Sequence, residues 1–419
     1  MKKKKLGLTA WILISLVLGL ATGLIFNALP SSVWKDEWLV GGLFHVLGTM
    51  FIAALKMLIV PVVFFSLVVG VSSLTDAKQL GRIGGKTIVF YLVTTAIAIT
   101  MALGISLMIN PGKNVDLSAV TEGEVTVNEP QPFTQTLIDI VPDNPIMAMA
   151  EGNMLQIIFF AVLFGYTLTL LRDSIPTVVS FVNELNTIFL RMVTLIMYVA
   201  PIGVFALIAK SFAVIGFGLI VPVLKYMLAV LIGLAIQLVV YALLIRFVGK
   251  LDPFVFFKKV VSPLSVGFST SSSAAALPIY LRTAEEKLGV DKKVASFTLP
   301  LGSTINMDGT AIMQGAATIF IAQVYMIDLS IEQLLLVIIT AVIASIGTAS
   351  MPGAGVIMLS LILTSIGLPL EGIALVIGVD RIVDMFRTVI NITGDGAATV
   401  IVANSEKALD QDVYYDKHA

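Results

Sequence analysis

Apolar residues run along this chain in long stretches rather than in the alternations or half-faces of a water-soluble fold. Stretches long enough to cross about 30 Å of hydrocarbon occupy roughly residues 8–29, 43–71, 83–109, 154–171, 185–209 and 226–247. Two more, near 295–325 and 373–403, are as long but carry polar residues at mid-depth. Two further apolar segments break in the middle. Residues 253–288 are interrupted between Ser269 and Pro278, and residues 331–367 between Gly347 and Gly355. Each arm beside a break is about 9–14 residues, roughly 14–21 Å of helix, too short to cross. The pattern predicts an all-α polytopic membrane protein with eight transmembrane helices and two re-entrant helical hairpins. Unpaired backbone groups at such hairpin tips are tolerated only inside protein or beside a watery cavity. A pair of ordinary kinked spans is the alternative.

Charge placement adds an orientation. Lys2–Lys5 are basic, Lys78, Arg82 and Lys86 outweigh Asp76 after the second span, and Arg246, Lys250, Lys258 and Lys259 follow the sixth. Between Pro111 and Gly152 there are one lysine and seven acidic residues. An excess of lysine and arginine marks cytoplasmic loops. Both termini are therefore expected in the cytoplasm, in a multi-pass protein of the cell inner (plasma) membrane, with the 111–152 loop outside. That loop, with five prolines, reads either as an external lid or as a solvated linker. The first apolar stretch has a spanning length rather than that of a cleavable signal core.

Composition agrees with a chain that faces lipid. Of 419 residues, 58% are hydrophobic and only 13% charged, and the mean hydropathy is +1.00. There is no cysteine, and the histidines are His45 and His418, so thiol chemistry is excluded and histidine-based catalysis has little to work with.

The candidate chemistry lies in the last 170 residues. After the first broken segment comes Thr304-Ile305-Asn306-Met307-Asp308-Gly309-Thr310, and after the second comes Val389-Ile390-Asn391-Ile392-Thr393-Gly394-Asp395. The order is hairpin–helix, hairpin–helix, with both helices expected to be interrupted and the hairpins entering from opposite sides. That is an inverted repeat, the architecture in which secondary transporters bind substrate between broken helices.

The last helix also carries Asp380, Arg381, Asp384 and Arg387 ahead of Asn391 and Asp395. A charge at mid-membrane costs at least ~2.5–3.5 kcal/mol, so these groups must face a cavity or each other. At about 100° per residue, Asp380, Asp384, Arg387, Asn391 and Asp395 fall within about 80° of one another, with Arg381 beyond the edge. A structural ion-pair ladder is one reading. The other gives Arg387 a substrate carboxylate and Asp384 an ammonium group, the two ends of an acidic amino acid. Asp308 and Asp395, among amide and carbonyl oxygens, suit a hard monovalent cation such as sodium.

These motifs resemble the glutamate transporter family, the dicarboxylate/amino acid:cation symporters. The likeness rests on the serine-rich tip, on Asn306-Met307-Asp308-Gly309-Thr310, on Gly347–Gly355, and on Asp384-Met385-Phe386-Arg387-Thr388 with Asn391 and Asp395. The resemblance implies a homotrimer working by an elevator mechanism, with scaffold segments 1–82 and 153–210 and transport-domain segments 83–110 and 211–403. The external loop 111–152 and a cytoplasmic tail 404–419 complete the chain. It implies substrate contacts from Ser271, Ser273, Thr310, Met351, Gly355, Asp384, Arg387, Thr388 and Asn391. It implies one sodium site from Gly302, Asn306, Asn391 and Asp395, and a second from Thr304, Ser345, Ile346 and Thr348. A third would use Tyr91, Thr94, Thr95, Asn306 and Asp308.

Three departures from the family pattern stand out. Ser271 and Met385 occupy positions where members carry an extra arginine, Gln314 replaces a proton-carrying glutamate of the animal transporters, and Ala274 replaces a tip serine. Proton-coupled glutamate/aspartate transport or C4-dicarboxylate symport is the alternative function. A serine protease would lack a nearby histidine, an aspartyl protease would not set an arginine between its acids, and a channel needs no such pair of ligand groups. Nucleic acid is not an expected partner.

Overall fold

The computed structural model describes residues 8–73, 82–113, 115, 141–347 and 354–416. The sites expected at Thr348 and Met351, the basic residues 2–5 and most of the acidic loop fall outside them. The chain begins with α1 (Leu8–Ala28), a π-helical stretch Trp34–Phe44 and α2 (His45–Ser73). Next come α3 (Arg82–Ile109), the short α4 (Pro145–Glu151), α5 (Met154–Leu170), α6 (Pro176–Ile215) and α7 (Ile220–Phe247). The remainder forms α8 (Pro253–Lys259), α9 (Val261–Thr270), α10 (Ser273–Glu286), α11 (Lys292–Ile305) and α12 (Asp308–Val324). Last are α13 (Ile331–Gly347), α14 (Ala354–Ser365), α15 (Ile373–Ser405) and α16 (Gln411–Tyr415). No strand occurs among the described residues, only an isolated bridge between Val290 and Leu409.

Three of these helices, by length and composition alone, suffice to cross a membrane within the described residues: Arg82–Ile109, Pro176–Ile196 and Ile220–Phe247. Shorter apolar helices include Ile14–Ala28, Gln156–Leu170 and Tyr198–Val214. The boundaries expected for the fifth apolar stretch were too narrow. Residues 185–209 lie inside α6, a single helix of 40 residues, roughly 60 Å long. Much of its outer face is apolar, with Phe181, Ile188, Leu195, Tyr198 and Ile202 exposed and Glu184 and Arg191 interspersed among them. Large apolar side chains exposed over several turns fit a lipid or subunit environment rather than water.

Both broken segments form helix pairs. In the first, α9 and α10 pack on each other, and α9, α10 and α11 all pack on α15. The break is narrower than the sequence implied, because α10 already starts at Ser273 and contains Pro278. Ser271 ends α9 in the left-handed region at φ 50°, a conformation that suits glycine and that other residues adopt at some cost. Ser272 then caps α10, its side chain accepting from the Ala275 N–H at 3.3 Å. In the second, α13 and α14 pack together. Here α13 has 17 residues, about 25 Å, longer than the arm length expected.

The two motif-bearing helices behave differently. The helix through residues 295–325 breaks at Asn306 and Met307, whose backbones are extended or irregular, so that α11 and α12 meet end to end. The expectation of a second interrupted helix is corrected: α15 runs unbroken from Ile373 to Ser405 through Asn391, Gly394 and Asp395. The first motif follows Pro300, and its Asn306 side chain bonds outside its own helix. In the second motif Thr393 and Thr399 return their hydroxyls to carbonyls one turn back, within the helix.

Two groups of helices result. α1, α2, α5 and α6 pack chiefly on one another, while α3, α7, α12 and α15 form a second cluster joined by α9, α10 and α11. In α12, sixteen of 17 residues are buried, Asp308 among them. The second cluster therefore encloses the polar motifs.

Candidate functional site

α15 brings its charged residues to one buried face, as the helical period requires. Arg387 is 1% exposed, and its Nη2 donates to Asp384 Oδ1 at 2.6 Å. The same nitrogen is 3.3 Å from Asp380 Oδ1. Arg381, expected beyond the edge of this face, reaches back to it: its Nη1 is 3.4 Å from Asp384 Oδ2. Both oxygens of Asp384 therefore face guanidinium groups. Arg387 keeps two nitrogens, Nε and Nη1, buried without a hydrogen-bond partner among the described residues. A buried unmet donor on a charged group is costly, so these two nitrogens are candidate positions for an anionic acceptor.

Elements from both broken segments close on this face. Gly355, at the start of α14, stands where a Cβ would lie 2.6 Å from Arg387 Nη1 and 3.1 Å from Met313 Cε; only glycine leaves that approach open. Near the first tip, a Cβ on Gly267 would meet Ile392 and Thr388, and Phe268 meets Phe386 edge to face at 5.3 Å. Ser271 and Ser273 are buried, and the Ser271 hydroxyl has no partner among the described residues. Thr388 donates to the Asp384 carbonyl at 2.8 Å, and Asn391 Nδ2 lies 3.4 Å from Thr310 Oγ1. Of the nine residues expected to hold substrate, all except Met351, which is outside the described residues, lie on or beside these elements.

A second cluster surrounds Asp395. Asn306 Nδ2 donates both to Asp395 Oδ1 and to the Asn391 carbonyl, each at 2.9 Å, and Asn306 Oδ1 is left unpartnered. Asn391 Oδ1 accepts from the Gly309 N–H at 2.8 Å, satisfying a first-turn donor of α12 that its own helix cannot. Gly302 completes the cluster: a Cβ there would sit 2.5 Å from the Tyr91 hydroxyl and 2.6 Å from Asp395 Oδ1. Oxygen atoms from backbone, amide and carboxylate thus converge, the donor set of a hard cation.

A third cluster surrounds Asp308, which is wholly buried. Thr95 Oγ1 donates to Oδ1 at 2.6 Å, and Tyr241 OH and Gln237 Nε2 donate to Oδ2 at 2.7 and 2.9 Å. Thr94 and Thr95 also lie 3.2 and 2.8 Å from the Tyr91 carbonyl. Asn306, expected in this group too, turns its amide toward Asp395. For the remaining set, Thr304 bonds within α11 and Ser345 within α13, while Ile346 packs with Tyr91, Leu301, Ile305 and Ala398. No group of three or more acidic, histidine or cysteine side chains suited to a metal occurs among the described residues.

Sequence reasoning missed Gln237 and Tyr241 and the return of the Arg381 guanidinium to this face. The signal for the first two was present: an amide and a hydroxyl four residues apart, on one face of the apolar middle of α7.

Residues 8–405 match the model of the Sodium:dicarboxylate symporter family. Among curated proteins, the chain is 38% identical to the proton/glutamate-aspartate symporter of Escherichia coli, covering 98% of this chain and 95% of the relative. It is 34% identical to the C4-dicarboxylate transport protein of Bacillus subtilis, over 95% of each. It is also 34% identical to excitatory amino acid transporter 2 of Homo sapiens, over 86% of this chain and 73% of the relative. The clustering of buried charge on α15, the apolar helices around it and these similarities agree: this membrane protein is a transporter rather than an enzyme, and it belongs to the Sodium:dicarboxylate symporter family.

Proposed function

We propose that the protein is a secondary active symporter that imports acidic amino acids, L-aspartate and L-glutamate, together with sodium. The observation that carries this reading is Arg387, buried with Nε and Nη1 unpartnered among the described residues and Nη1 facing Gly355. A substrate carboxylate supplies the missing acceptors, and a planar guanidinium is suited to it. The substrate ammonium goes to Asp384, displacing Arg387 or Arg381 from one of its oxygens. Thr310, Thr388 and Asn391 take the remaining polar groups, with the serine tip at Ser271 and Ser273 on one side. The second tip, Met351 to Gly355, closes the other.

Sodium is a co-transported ion in this scheme. Gly302, Asn306, Asn391 and Asp395 form one site, and Tyr91, Thr94, Thr95, Asn306 and Asp308 a second. Thr304, Ser345, Ile346 and Thr348 form a third. The broken α11–α12 junction supports this, because it frees backbone carbonyls beside two buried carboxylates. α1, α2, α5 and α6 act as a scaffold within a homotrimer, with the helices around α12 and α15 moving as an elevator. The eight spans, inverted repeats, cytoplasmic termini and plasma-membrane location belong to the same reading.

One observation favours a second reading. Both oxygens of Asp384 already face arginines, so a C4-dicarboxylate without an ammonium group leaves that acid paired. The named relatives include both proton-coupled and C4-dicarboxylate transporters. Uptake of labelled aspartate into vesicles separates the choices. Expected is sodium-dependent uptake with a Hill slope in sodium above one, and weak competition by succinate. Robust uptake driven by a proton gradient without sodium would replace sodium with protons. Strong competition by succinate would favour the dicarboxylate.

A further inference from the structure

Gln237 sits in the middle of α7, fully buried, in a helix that otherwise turns apolar or aromatic side chains inward at that depth. Its amide nitrogen donates to Asp308 Oδ2 at 2.9 Å, and its carbonyl oxygen has no hydrogen-bond partner among the described residues. A buried amide with one end satisfied and the other orphaned is an expensive arrangement. A leucine of similar volume would fill the space without that cost, so packing alone does not account for glutamine here.

The neighbours share a common property. Asp308 accepts from three donors, Thr95 Oγ1, Tyr241 OH and Gln237 Nε2. A hydroxyl carries one proton, yet Thr95 Oγ1 lies within hydrogen-bond distance of both Asp308 Oδ1 and the Tyr91 carbonyl, at 2.6 and 2.8 Å. With its proton on Tyr91 O, Thr95 turns a lone pair toward Asp308 instead of a donor. Gln237 can make the same exchange by rotating its amide through half a turn, which swaps Nε2 for Oε1. A carboxylate ringed by donors is matched to no cation. The same ring with Thr95 and Gln237 reversed offers three kinds of oxygen: carboxylate, hydroxyl and amide.

We propose that Gln237 is a switching ligand of the cation site at Asp308, donating to the carboxylate in the arrangement seen here and turning its carbonyl oxygen onto the cation on binding. This rests on the reading of Asp308 as a sodium site and adds a residue from α7, a helix that contributes nothing else to the expected sodium ligands. The switch gives binding at this site a local consequence. The cation breaks the Gln237 bond between α7 and α12 and replaces it with a shared ion.

The test is sodium binding to the purified full-length protein in nanodiscs, without substrate, followed by radioactive sodium and by the sodium-dependent rise in melting temperature against choline. Gln237→Leu is expected to weaken the apparent sodium affinity at least about tenfold and to shrink the melting shift. Gln237→Glu, which keeps an oxygen at the same place, is expected to stay within about threefold of wild type. Gln237→Leu with unchanged or tighter sodium binding would overturn the proposal, since removal of a mere competitor for Asp308 tightens binding. Wild-type protein that binds no sodium would overturn the underlying sodium reading as well. Melting temperatures in choline show whether each variant is folded.

Discussion

Two segments of similar composition, Asn306-Met307-Asp308-Gly309 and Asn391-Ile392-Thr393-Gly394-Asp395, fold in opposite ways. The first opens the backbone between α11 and α12, while the second stays inside the unbroken α15. The open segment presents main-chain oxygens and neutral side chains around one acid. The unbroken helix acts mainly through side chains, charged at Asp380, Asp384 and Arg387 and neutral at Asn391, whose carbonyl also accepts from Asn306. On the proposed reading the whole helix recognises the anion, while the cation sites draw on both segments, through Asp308 of the broken one and Asp395 of the whole one. The amides of Asn306 and Asn391 tie the two across the gap.

The largest effect expected from this division is at Arg387. If the charged face of α15 is a ligand site, Arg387→Ala removes aspartate uptake by roughly a hundredfold or more, about 3 kcal/mol of binding. Folding survives, because a polar cavity admits water beside Asp380 and Asp384. Near wild-type affinity for aspartate in this variant would show that the face is a structural ion ladder. Next is the tie between the segments. Asn306→Ala strips Asp395 of its amide donor, and hydrogen bonds to charged groups contribute about 1.5–3 kcal/mol. Thermal unfolding in detergent is expected to show a loss in that range, and an unchanged midpoint would mean that the two segments do not hold one another.

A smaller effect is expected at Gly302, where the open segment and Asp395 come closest. An added methyl would lie 2.5 Å from the Tyr91 hydroxyl and 2.6 Å from Asp395 Oδ1, so one of them must move. Gly302→Ala is expected to raise the sodium concentration for half-maximal aspartate uptake by about tenfold, close to 1.4 kcal/mol, while the affinity for aspartate at saturating sodium stays near wild type. An unchanged sodium dependence would remove Gly302 from the cation site.

Much of this division was legible in the sequence. The i, i+4, i+7 spacing of Asp380, Asp384 and Arg387 gave one buried face, and helical periodicity alone requires that. The serine-rich tip and the non-helical pair at Asn306 and Met307 also coincide with visible breaks. The continuity of α15 was not legible. Gly394 and Asp395 read as breakers by propensity, but a helix packed on α7, α9, α11 and α12 is held by tertiary contacts that override such preferences. Arg381 was misplaced for a related reason. Its Cα lies off the charged face, and the length of its side chain brings the guanidinium back to Asp384. Gln237 and Tyr241 lie some seventy residues from Asp308 in sequence, and no local pattern states which helix will face them.

The smallest effect concerns how α3, which supplies Tyr91 and Thr95 to the open segment, is fixed to α15. At one end of both helices Glu406 accepts from Arg82 Nε and Nη2 at 3.0 and 2.6 Å and from Lys86 Nζ at 2.5 Å, while Lys86 also donates to Ser405. Hydrogen bonds from Lys86 and Arg82 hold the Glu406 carboxyl below the usual carboxylate range. A carboxyl depressed on folding contributes stability that is present above its unfolded value and is lost as pH falls through the folded one. Arg82 is exposed, however, and exposed ion pairs contribute little and are screened by salt. α3 has a deeper anchor as well: Tyr91 OH donates to the Thr298 carbonyl at 3.1 Å in the fully buried core. Glu406→Gln is therefore expected to lower the melting temperature only slightly at neutral pH and low salt. The difference from wild type should shrink in 1 M salt and as the pH falls below the normal carboxylate range, with the sodium dependence of uptake unchanged. A large shift in that sodium dependence would show that the position of α3 against the open segment is set from its end rather than from its buried middle.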